Sequence, residues 1–316
     1  MLKFSGLFLF LSYSLFAQPP KPEIAFIVHE KDLIPEGIAY DPAEKAFYVS
    51  SIYKKKIVKI TAKGEVSDFV LPGAEGIEEV LGMKVDPKGL LWACNNTYEL
   101  DTIRKISNIH VYDIRSKSLY KRFQLTDGKQ HLFNDLCMLK NGDVYVTDSQ
   151  AGMVWLIRNG GHGIEAFTKA GGLSYANGIT AAPDEKSILV ATGSAQGIVS
   201  IDLESKKITP VPSDRYLLIG LDGLYLYNNT LIGVQNTTFP ESILHLYLAP
   251  SARAIERIEF LCQTTPPMDL PTTGVMAEGY FYFIANSQIL QINGGRGKIK
   301  DPDSLKDVVV MKIKLN

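Results

Sequence analysis

The sequence predicts an all-β chain folded as a six-bladed β-propeller of four-stranded blades, and three observations carry that reading. A step of the form x-Gly-apolar, with the third reading Asn134-Asp135-Leu136, opens strand-like runs near residues 36, 81, 134, 177, 222 and 273. The starts are 45, 53, 43, 45 and 51 residues apart, with 43 left after the last, which is the size of a propeller blade. Each unit also repeats one internal order of strand, turn, strand, strand.

The elements follow in that order. First strands run into turn signals at Asp41-Pro42, Asp86-Pro87-Lys88-Gly89, Asn141-Gly142, Pro183-Asp184, Asn228-Asn229 and Glu278-Gly279. Second strands rich in β-branched and aromatic residues come next: FYVSS, LLWACNN, VYVTDS, ILVATG, LIGVQN and YFYFIAN. Third strands are KIVKI, NIHVYDI, MVWLI, GIVSIDL, ILHLYLA and VVVMKIKL. Fourth strands are expected at 66–71, 120–125, 164–169 and 255–260. The sixth unit has no fourth strand of its own, and residues 24–28 precede the first unit unassigned. The N-terminal strand is therefore expected to close the ring as the outer strand of blade six, so that no sheet edge is left at the seam. The propeller then spans 24–316.

Residues 1–17 read as a signal peptide: a short basic start, an apolar run from Phe4 to Phe16, then Ala17, with Pro19, Pro20 and Pro22 beyond. The apolar run is shorter than the ~20 residues of a membrane span, so no stable membrane anchor is expected after cleavage. Gln18 stands where a lipoprotein would need cysteine. The expected location is secreted or periplasmic. With 33 Lys+Arg against 34 Asp+Glu, the chain lacks the basic excess of a nucleic-acid binder. Cys94, Cys137 and Cys262 form no metal-binding spacing and are expected as buried thiols.

In a propeller the first strand of each blade lines the central channel, so the residue before each glycine falls at an equivalent place on one ring. In order these are Glu36, Leu81, Asn134, Asn177, Asp222 and Thr273. Four of the six carry a carboxylate or amide oxygen, a hard donor set that suits Ca²⁺. Asn-Gly and Asp-Gly are common turn dipeptides; their recurrence at one repeat position is what favours a metal. Second strands return to the same end of the molecule, so Ser50-Ser51, Asn95-Asn96, Asp148-Ser149, Ser194, Gln235-Asn236 and Asn286 should ring that face, some of them orienting the ligands.

The segments PEGIAYDP at 35–42, FNDLCMLKNGDVYVTDS at 133–149, YANGITAAPDEKSILVA at 175–191 and LDGLYL at 221–226 resemble the gluconolactonase, senescence-marker-protein (regucalcin) and luciferin-regenerating-enzyme family. The resemblance covers nearly all of the chain beyond the leader. It implies Glu36, Asn134, Asn177 and Asp222 as ligands of a divalent metal, most often calcium, and lactone hydrolysis with Asp222 as base or nucleophile. Sugar-lactone members carry an arginine two residues before the first asparagine ligand, where this chain has Leu132. Leu132, Phe133, Tyr98 and Tyr175 point instead to an apolar pocket for a less polar lactone or ester.

His131 is a candidate proton shuttle at the channel mouth, as in paraoxonase-like enzymes; a hydrogen-bonding surface role is the plainer reading. His29, His110, His162 and His245 form no cluster. The insertion 95–108 in blade two offers a lid, with Tyr98, Asp101 and Arg104 as substrate contacts, and 235–242 offers a second. The glycine-rich stretch 293–300 reads as a connecting loop. No G-x-S-x-G, P-loop, H-E-x-x-H or dinucleotide signature occurs. The functional expectation is a calcium-dependent hydrolase of lactones or related esters acting on a small-molecule substrate. The alternatives are a calcium-dependent phosphotriesterase, or a non-enzymatic binding propeller braced by calcium.

Overall fold

A computed structural model describes residues 21–97, 104–214, 216–293 and 297–315. The signal-peptide segment 1–17, Tyr98 and Asp101 lie outside the described residues. The chain forms six four-stranded antiparallel sheets, each a blade. The innermost strands are Ile38–Asp41, Glu79–Val85, Phe133–Met138, Ile179–Ala181, Leu221–Tyr227 and Gly274–Ala277. No helix of the described residues is long and apolar enough to cross a membrane.

Blade six closes the ring as its missing strand requires. Its order from the outside is Glu23–Val28, Val308–Lys314, Tyr280–Ile284 and Gly274–Ala277, with Val28 opposite Val308 and Glu23 opposite Lys312. The two ends of the chain thus share one sheet, and blade six rests on blade one through Val28, Phe47, Val49, Tyr282 and Val310. The fourth strand of blade three is shorter than the sequence suggests, Glu165–Ala166. Beyond it Phe167 N and Thr168 N both donate to the Val154 carbonyl, at 3.0 and 3.1 Å, and Thr168 Oγ1 replaces a backbone acceptor for the Val154 amide at 2.9 Å, so the regular ladder is broken there.

The core is divided among six apolar clusters, one between each pair of neighbouring blades. Alternation along each strand supplies both faces of a blade with apolar side chains, which is why second and third strands read as nearly continuous hydrophobic runs. Around the axis the inner strands approach so closely that side chains are excluded. A Cβ on Gly37 would lie 2.1 Å from the Leu81 carbonyl oxygen, and one on Gly178 would lie 2.4 Å from that of Asp222. The repeated glycine is a close-approach residue here, and Gly178 N–H donates to the Asp222 carbonyl at 2.8 Å. The residue before each glycine is thereby brought to the mouth of the channel.

Candidate metal centre

Glu36, Leu81, Asn134, Asn177 and Asp222 line one cavity of about 410 Å³ at the end of the channel, together with Ile52, Glu79, Leu132, Tyr175, Asn236 and Thr237 and an apolar wall of Leu270, Ile289, Leu290 and Ile292. Five of the six ring positions meet there. The sixth, Thr273, spends its hydroxyl on the Glu36 carbonyl at 2.5 Å, beside Thr272 at 2.9 Å. These two bonds tie blade six to blade one at the ring and fix the backbone that carries Glu36.

Hydrogen bonds from the second strands aim the ring oxygens inward. Asn134 Nδ2 donates to Ser149 Oγ at 3.0 Å, and that hydroxyl donates to the Ala176 carbonyl at 2.6 Å. Asn236 Nδ2 donates to Asp222 Oδ2 at 2.6 Å and to the Pro271 carbonyl at 2.9 Å, and the Asn177 side chain also hydrogen-bonds Asp222. With the amide nitrogens so engaged, Asn134 Oδ1 and Asn177 Oδ1 are left buried and unpartnered, as is Glu36 Oε2. Buried polar atoms almost always have partners. Three orphaned oxygens lining one cavity therefore fit a cation, and the absence of sulfur or imidazole from the set suits a hard one. Half of this set is amide, and no group of three or more His, Cys, Asp or Glu able to hold a metal occurs among the described residues.

The electrostatics agree. Burial pushes the Glu36 carboxyl well above the usual carboxylate range, with the charges of Asp222 and Asp135 adding to the shift and Lys84 opposing it. Burial likewise raises Asp222 to about 6, against hydrogen bonds from Asn236 and Asn177 that lower it. Two buried carboxylates in one cavity disfavour each other's ionised form. A divalent cation would reverse that.

Strand alternation divides the expected substrate contacts. Leu132 and Asn134 face the cavity, whereas His131 and Phe133 point the other way and pack against Trp155. Phe133 is fully buried, so the expectation of a substrate contact there is corrected. His131 is held at both ring nitrogens, Nδ1 by Asp148 at 2.6 Å and Nε2 by Asp127 at 3.0 Å. It does not line the cavity, and the shuttle expectation is corrected too. Burial lowers its affinity for a proton, but the two carboxylates outweigh this and its pKa is raised. Asp148 Oδ1 also accepts from Leu132 N at 3.1 Å, so this buried network holds the backbone leading into Asn134. Tyr175 lines the cavity and is half exposed. Arg104 pairs with Glu78 at 2.5 Å and does not line it.

Seven lining residues escaped the sequence reading: Ile52, Glu79, Thr272 and the four of the apolar wall. Leu270 precedes the first strand of blade six, while Ile289, Leu290 and Ile292 belong to its insertion between Ile284 and Val308. The stretch read as a connecting loop begins with a short strand pair, Ile292–Asn293 with Lys298–Ile299, and a 3-10 turn at Ile289–Gln291 precedes it. The signal was present as the apolar run Ile289-Leu290, but nothing local says that it folds over the channel mouth.

The fold and ring define a six-bladed propeller with a buried, oxygen-lined cavity at its axis. A family model described as SMP-30/gluconolactonase/LRE-like region matches residues 34–220, more than half of the chain, and the chain belongs to that family. The match includes Glu36, Asn134 and Asn177 and stops short of Asp222. No curated protein matches the sequence. Among solved structures, a gluconolactonase from Xanthomonas campestris is 14% identical with a TM-score of 0.63, over 95% of this chain and 96% of that one. A luciferin-regenerating enzyme is 13% identical at 0.64, over 93% and 95%. A virginiamycin B lyase from Staphylococcus aureus is 15% identical at 0.61, over 94% and 99%. At these identities the likeness is one of fold, and that fold carries more than one chemistry.

Proposed function

We propose that the protein is an exported, calcium-dependent hydrolase of lactones or related esters with a predominantly apolar acyl part. The observation that carries this reading is the trio of buried, unpartnered oxygens on Glu36, Asn134 and Asn177, beside a raised Asp222, in one apolar-walled cavity. Glu36, Asn134, Asn177 and Asp222 would hold the metal, which when bound supplies Lewis-acid polarisation of a carbonyl and a readier water nucleophile. Asp222, which lines the cavity beside the ring oxygens, accepts the proton of the attacking water. Asn236 holds the Asp222 carboxylate in place through its 2.6 Å bond to Oδ2. Leu132, Leu270, Ile289, Leu290 and Ile292 exclude water from one side and receive the apolar part of the substrate.

The test is proton release from a panel of sugar, aliphatic and aromatic lactones, with protein stripped by EGTA and then restored with calcium. Hydrolysis that disappears with chelator, returns with calcium and favours apolar lactones over sugar lactones is the expected result. A folded, calcium-loaded protein that turns over none of them would refute the reading in favour of a binding propeller or a phosphotriesterase.

A further inference from the structure

Beneath the oxygen ring the channel carries a second set of charges that the proposed hydrolysis does not use. Five blades have glycine after the ring position, and blade three has Asp135, whose side chain is 2% exposed. On the adjoining inner strand of blade two Gly82 makes room for it: a Cβ there would meet Asp135 Oδ1 at 2.6 Å. Asp135 Oδ1 accepts from the Leu136 amide at 2.8 Å, while Oδ2 is buried without a partner. Lys84, two residues beyond Gly82 on the same strand, brings Nζ to 3.7 Å from Oδ1. The same ammonium lies 4.5 Å from the centre of the Tyr225 ring, whose hydroxyl accepts from the Gly274 amide at 2.7 Å. A cation on blade two is thus held between a carboxylate on blade three and an aromatic face on blade five that is anchored to blade six.

Glu36, Asp135 and Asp222 bring three carboxylates to one narrow channel, and an uncompensated buried charge is costly. Lys84 is positioned to compensate them from below, opposite the cavity through which a metal would enter. We infer that Lys84 is a built-in counter-cation of the channel, a positioning residue that stabilises the metal-free propeller and holds the ring's affinity for a divalent cation below what its carboxylates alone would give. The inference rests on the reading of the ring as a cation site. Its consequence is a metal bound reversibly by a propeller that stays folded when the metal leaves.

Calcium titration by calorimetry on the full protein, with thermal melting in EGTA, tests this without reference to catalysis. Lys84→Met, which keeps the length and removes the charge, should bind calcium at least threefold more tightly and melt lower in EGTA. Asp135→Asn, which keeps the shape, should bind calcium at least threefold more weakly because Lys84 is then unopposed. The double variant should return to within twofold of the parent affinity. A Lys84→Met protein that binds no more tightly overturns the inference; if Lys84→Met does not fold, Lys84→Gln, which also removes the charge, decides in its place. A parent protein that binds no calcium refutes the ring reading itself, whereas a parent that binds and variants that match it refute only the role of Lys84.

Discussion

Replacing Asp222 by asparagine should stabilise the metal-free protein at alkaline pH while removing its response to calcium. Burial raises the Asp222 pKa from the ordinary 3.8 to about 6. The folded state therefore binds the proton more tightly than the unfolded chain does. Stability present below pH 3.8 is lost as pH rises through about 6, and the loss is complete above it. A shift of about 2 pH units corresponds to about 3 kcal/mol at 1.36 kcal/mol per unit. Asparagine escapes this cost, but Asn236 and Asn177 both donate toward Asp222, and an amide with one acceptor oxygen satisfies them less well, at roughly 1 kcal/mol. Asp222→Asn should thus be about 2 kcal/mol more stable than the parent in EGTA at pH 8, with the gain gone by pH 4. Added calcium should reverse the order, since a ligand present at 100 times its dissociation constant stabilises the parent by about 2.7 kcal/mol and the variant little. Urea denaturation at pH 4, 6 and 8, with EGTA or calcium, measures all of this. A variant less stable than the parent in EGTA at pH 8 would refute the claim that burial raises the proton affinity of Asp222.

Other expectations follow from single contacts. Ser149→Ala removes the acceptor that fixes the Asn134 amide and should weaken calcium binding about tenfold, equivalent to 1.4 kcal/mol, with the fold unchanged by circular dichroism. Gly178→Ala forces a Cβ against the Asp222 carbonyl; it should cost about 3 kcal/mol, as overpacking does, and weaken calcium binding as well, both read from melts with and without calcium. His131→Gln should lose stability that the parent shows below pH 6.5, read by urea denaturation at pH 5 and 8, because a raised histidine pKa gives stability that fades as pH climbs through it. Leu290→Asp, at a residue 70% exposed, should spare stability and raise KM for long-chain lactones far more than for short ones.

The fold was legible because its rules are periodic. Six recurrences of one local step, each with the same strand order, can be counted without knowing any contact, and ring closure by Glu23–Val28 follows from a deficit of one strand. The grouping of Glu36, Asn134, Asn177 and Asp222 in one cavity was legible for the same reason: a repeat turns positions far apart in sequence into equivalent ones. His131 and Phe133 were misread because proximity to Asn134 was allowed to stand for direction. Period-two alternation puts 132 and 134 on one side and 131 and 133 on the other, and Trp155 completes the buried side. Ile289, Leu290 and Ile292 were missed because they sit in an insertion that breaks the repeat.

Under the proposed function, the cavity wall can vary without disturbing the ring. The residues that hold the ring are fixed by the close approach of inner strands at Gly37 and Gly178 and by hydrogen bonds between blades, so altering them disturbs the propeller itself. The residues that wall the cavity come instead from loops and from one insertion. An exposed Leu290 there can be replaced with little cost to the core, whereas Asn134 is braced by Ser149 and, through the Asp148 and His131 network, by the packing of blade three. If the proposed function holds, cavity-wall substitutions should change KM across a lactone series at constant calcium affinity, and ring substitutions should change calcium affinity for every substrate alike.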